Sequence, residues 1–96
     1  MTQVNVSLQV LPVVPEDEIY GVVDKVIAMI ERSGVKYLVG PMETTMEGEL
    51  EELMALVIEA QRVCTEAGSK RVISIVKIDY KVDGVSIDEK IKKYQE

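Results

Sequence analysis

From Val4 to Val10 the chain alternates strictly, with Asn5, Ser7 and Gln9 separating Val4, Val6, Leu8 and Val10. A period of two puts one set on each side of an extended backbone, so the segment predicts a strand with one apolar and one polar face. Pro12 and Pro15 end it. The period then lengthens: Ile19, Val22, Val23, Val26, Ile27 and Ile30 recur at the three- and four-residue steps of a helix. Pro15 and the acids Glu16, Asp17 and Glu18 suit its start, and Gly34 suits its stop.

Residues 35–46 read as two short strands in a hairpin, or as one bent strand, punctuated by Gly40-Pro41. A second helical stripe runs through Leu50, Leu53, Met54, Val57, Ile58, Gln61 and Cys64, with glutamates outside and Gly68 at its end. Arg71 to Val82 predicts a long strand. Val72, Ser74, Val76, Ile78 and Tyr80 take one side, and Ile73, Ile75, Lys77 and Asp79 the other. Asp83-Gly84 is a turn signal, and Ser86-Ile87-Asp88-Glu89 has the form of a capping box opening a short last helix.

The order is strand, helix, two strands, helix, strand, short helix. Two βαβ halves of this length pack as an α+β, ferredoxin-like βαββαβ sandwich. Its four-stranded antiparallel sheet carries two helices on one face, and a short C-terminal helix follows. Residues 1–96 form one domain in this reading. The helix-free face must be wet or covered by a ligand or partner. A mixed face of Asn5, Ser7 and Gln9 with Ile73, Ile75, Lys77 and Asp79 suits a subunit interface with polar pockets at its margin.

Composition narrows the chemistry. Eleven basic residues against seventeen acidic ones leave a net charge of −6, which disfavours a nucleic-acid partner. Histidine is absent, which removes the commonest metal ligand and the usual general base. The single cysteine, Cys64, makes no internal disulfide and no multi-thiolate metal site, which fits a reducing cytoplasm. No apolar run approaches a membrane span, and the first residues carry no basic region of a signal peptide. There is no Ser–His or Cys–His pair and no phosphate-binding loop, so an enzyme is not expected. With no Phe or Trp the core must be aliphatic, and a chain this small gains from oligomerisation.

The densest chemistry lies in Gly40-Pro41-Met42-Glu43-Thr44-Thr45-Met46-Glu47-Gly48-Glu49, where two hydroxyls and three carboxylates flank tight-turn residues. Thr44 and Glu47 also match a capping box, which would need no ligand. That box would put Gly48 in the first helical turn, where it costs about 1 kcal/mol relative to Ala. Lys77 and Asp79 share a strand face, as an exposed ion pair or as ligand contacts. Tyr37 offers a stacking surface or a packed aromatic.

The segment from Gly40 to Leu50 resembles the signature of the small thiamine-binding, YkoF-like proteins. Val4–Leu8, Ser33–Tyr37, Lys77–Asp79 and Glu89–Ile91 follow in matching order around it. The family pattern often has Gly where this chain has Glu43. The resemblance implies a ferredoxin-like subunit in dimers or dimers of dimers whose sheets meet face to face. It implies thiamine, or its hydroxymethylpyrimidine moiety, bound without turnover and without a metal or cofactor. By position it implies Ser7, Tyr37, Thr44, Glu47 and Asp79 as ligand contacts, with Asn5, Thr45 and Lys77 beside them. The alternative is a structural or regulatory oligomerisation module with no small-molecule ligand.

Overall fold

The computed structural model describes residues 2–95. Nine residues of alternating character form β1 (Val4–Pro12), and α1 (Ile19–Ser33) follows a single 3-10 turn at Glu16–Glu18. Gly34 stops α1 at φ +84, a left-handed conformation that a side chain would strain. The hairpin of β2 (Lys36–Val39) and β3 (Thr44–Gly48) leads into α2 (Leu50–Glu66). β4 (Val72–Asp79) and a short α3 (Ile87–Ile91) complete the order, and a 3-10 turn at Lys92–Tyr94 follows.

The four strands lie in the order β2-β3-β1-β4, all pairs antiparallel. This is the expected α+β arrangement. Register sorts every side chain. Val6 sits opposite Met46 and Ile78, and Leu8 sits opposite Thr44 and Val76, all on the face covered by α1 and α2. Val22, Val26 and Ile30 of α1 and Leu53, Val57 and Cys64 of α2 close the core against them.

The structure settles one open alternative and corrects one boundary. Thr44 and Glu47 do not cap a helix: both lie in β3, and α2 begins only at Leu50. Gly48 ends β3 directly under α2, where an added Cβ would stand 3.2 Å from Leu53 Cδ2. A side chain there would have to push the Leu53 and Glu52 side chains back by a few tenths of an ångström. β4 stops at Asp79, opposite Asn5 and short of the expected Val82; the chain turns at Lys81–Gly84, where the Gly84 amide donates to the Lys81 carbonyl.

Candidate functional site

The period-two alternation that builds the sheet divides the eight candidates between two faces. Thr44, opposite Leu8, and Tyr37, opposite Met46, point to the helix side. Thr44 is buried, and Tyr37 is half-buried against the core. Asn5, Ser7, Thr45, Glu47, Lys77 and Asp79 share the opposite, open face. The structure therefore does not bring all eight into one cluster.

On the open face the register makes successive cross-sheet rows. Lys36, Glu47, Asn5 and Asp79 form the first, one residue from each strand. Leu38, Thr45, Ser7 and Lys77 form the second, in which the Ser7 and Thr45 hydroxyls hydrogen-bond at 3.0 Å. Lys77 reaches Glu43 at 3.1 Å. Beyond them Gln9 faces Ile75 and Leu11 faces Ile73, leaving Leu11, Leu38, Ile73 and Ile75 as an exposed apolar strip.

The first row is already occupied by α3. Glu47 Oε1 accepts from the Ile87 amide at 2.7 Å, a carboxylate at the positive end of a helix. Lys36 Nζ pairs with Asp88. Lys90 Nζ donates to Asn5 Oδ1 at 2.7 Å and pairs with Asp79 Oδ2 at 2.5 Å. Ser86 caps the helix by accepting from the Glu89 amide, as the capping box predicts. The Asp88 carboxylate bonded to Lys36 holds that ammonium above its ordinary pKa.

On the helix side a cavity of about 230 Å³ opens between α1 and the ends of β1 and β3. Leu8, Val10, Ile19, Val23, Ile27 and Val39 give it apolar walls, and the turn Gly40–Glu43 forms one rim. Thr44 is its one buried polar lining residue, while Tyr20 and Met42 are largely exposed. A cavity of about 150 Å³ accepts benzene. This one is large enough for a substituted six-membered ring, with a hydroxyl at hand for orientation.

Sequence patterning did not find this cavity. Its walls are ordinary positions of two amphipathic elements, and only their packing leaves the gap. Lys90 and Asp88 were also missed as partners of the first row. The capping box announced α3 but carried no information on where it docks. Cys64 belongs to the core, where burial pushes its thiol pKa up and away from reactivity. Among the described residues no helix is long and apolar enough to cross a membrane.

Comparison with known proteins matches the chain, in sequence and in fold, to others. A family model described as "Thiamine-binding protein" matches residues 6–95. A UPF0045 protein of Clostridium perfringens is 58% identical over 95 residues, covering 99% of this chain and 100% of its own. A solved domain of unknown function from Bacillus cereus superposes with a TM-score of 0.92 at 47% identity, over 99% of this chain and 92% of its own. A candidate thiamine biosynthesis/salvage protein of Thermotoga maritima superposes with a TM-score of 0.91 at 42% identity, over 97% and 99%.

Proposed function

The chain belongs to the thiamine-binding protein family, and on that footing we propose that it binds thiamine, or the hydroxymethylpyrimidine moiety of thiamine, without turning it over. The observation that carries this reading is the apolar cavity beside Thr44. It abuts the Gly40–Leu50 segment that bears the family resemblance. An aminopyrimidine ring is flat and needs apolar walls with a few polar contacts at its edge. The aliphatic walls supply the first, and the Thr44 hydroxyl supplies one of the second by donating to a ring nitrogen.

The cationic thiazolium then lies toward the mouth, near the exposed Tyr20 ring and the acidic first turn at Glu16–Glu18. An aromatic face and carboxylates both favour a cation there. The net charge of −6 favours an unphosphorylated ligand over its phosphates. Val39 at the end of the edge strand β2 and Gly40 just beyond it line the same mouth, so a second copy pairing at that edge would close it. In this reading the pocket lies at an oligomer interface, in a cytoplasmic homodimer or dimer of dimers. Catalysis forms no part of the proposal.

The second reading, an oligomerisation module without a ligand, draws on the apolar strip of Leu11, Leu38, Ile73 and Ile75 across the open face. Calorimetric titration with thiamine, hydroxymethylpyrimidine and thiamine diphosphate separates the two. Binding reads out as heat with the first two and a weaker response to the diphosphate. No heat with any of the three, from a protein that light scattering shows to be a stable oligomer, would select the second reading.

A further inference from the structure

α3 has five α-helical residues, and a helix of that length has no stability of its own in water. Its hold on the sheet is mostly polar. Ile87 is its one buried residue, and its other anchors run to all four strands: Lys36 on β2, Glu47 on β3, Asn5 on β1 and Asp79 on β4. The Lys90–Asp79 pair is screened by solvent, its side chains being 43% and 50% exposed. Asn5 beneath it is only 3% exposed, and among the described residues its Nδ2 has no hydrogen-bond partner. A buried donor left unpaired penalises the docked arrangement. Screened attractions over an unmet donor describe a segment that lifts readily.

We propose that α3 is a displaceable clasp, and that Asn5 and Asp79 form a receptor for a primary ammonium group which Lys90 occupies from within the chain. The amide oxygen of Asn5 accepts only, and the Asp79 carboxylate adds a second acceptor with the neutralising charge. Together they engage two of the three N–H groups of an ammonium. When Lys90 withdraws, the same two acceptors receive a small primary amine in its place. Asn5 Nδ2, unpartnered while α3 is docked, then meets an acceptor that such an amine carries beside its nitrogen. The thiazolium nitrogen of thiamine has no N–H to donate, so this receptor does not read that cation.

Amine competition in the full chain tests the assignment, with amide hydrogen exchange at Ile87 and Glu89 as the readout. Lys90→Ala is expected to speed exchange at both amides about tenfold while leaving the β1 amide of Val6 unchanged. Propylammonium chloride, which takes the Lys90 place when α3 lifts, is expected to speed exchange at the same two amides in the parent chain. Potassium chloride or tetramethylammonium chloride at equal ionic strength has no such effect, and Asp79→Asn abolishes the response to propylammonium. If Val6 also accelerates, Lys90→Met, which keeps the aliphatic stem, is used and judged in the same way. Unchanged exchange at Ile87 would overturn the clasp. Equal effects of propylammonium and tetramethylammonium would overturn the receptor. Neither readout involves thiamine, so failure here leaves the cavity assignment standing.

Discussion

Thr44 and Thr45 are neighbours in sequence and lie on opposite faces of the sheet, so a pair of isosteric substitutions locates the ligand. Thr44→Val replaces the buried hydroxyl of the cavity wall with a methyl and keeps a β-branched strand residue of the same shape. If that hydroxyl orients the pyrimidine, its removal costs one hydrogen bond and leaves a ligand nitrogen unpaired in an apolar slot. The loss is about 1–2 kcal/mol, which raises Kd roughly 5- to 30-fold. The free protein keeps its stability, because Thr44 faces the aliphatic core side. Thr45→Val has the reverse signature. It breaks the 3.0 Å bond to Ser7 on the open face, a cost of about 1 kcal/mol that lowers Tm by about 4–8 °C in a domain of this size. Thiamine affinity is then unchanged. Calorimetry and thermal melts on the two variants and the parent complete the experiment. Weaker binding by Thr45→Val with normal binding by Thr44→Val would put the pyrimidine on the open face and refute the cavity assignment.

Glu47→Ala removes the carboxylate that accepts from the Ile87 amide; the lost charge-assisted bond, about 1.5 kcal/mol, appears as early melting of the C-terminal segment in hydrogen exchange. Gly34→Ala meets no steric obstacle but forces a side chain to φ +84, and chemical denaturation should show a loss of about 1 kcal/mol with an unchanged m-value. Alkaline pH weakens the fold from two sides. Cys64 and Lys36 both have raised folded pKa values, so their contributions are complete below the unfolded values, about 8.5 and 10.4, and are lost as pH climbs through the folded ones. Denaturation midpoints should therefore fall from about pH 8.5 upward, and Cys64→Ser should flatten the first part of that decline.

Much of the architecture was legible because it is written in periodicity. The alternation at Val4–Val10 set the faces of β1, and the stripes from Ile19 and Leu50 set the buried sides of both helices. Where two local readings of one segment competed, strand pairing decided. Thr44 and Glu47 satisfy a local capping rule, but pairing with Leu8 and Asn5 outweighed it and kept the segment in the sheet. The candidate site was legible only as a set of residue types. Ser7, Thr45 and Thr44 are alike in composition and close in the chain or the register, yet the pleat separates them into two chemistries.

The sequence by itself determined the order of elements, the buried faces of β1 and the two long helices, and the want of histidine and paired thiols that removes much catalytic chemistry. Those properties depend on near neighbours along the chain, and periodicity and composition report them directly. Only the tertiary structure decided that α1 leaves a cavity against Thr44, that Glu47 serves α3, and that Lys90 reaches Asn5, 85 positions away. Such contacts follow from how whole elements come to rest against one another, and no local pattern encodes that.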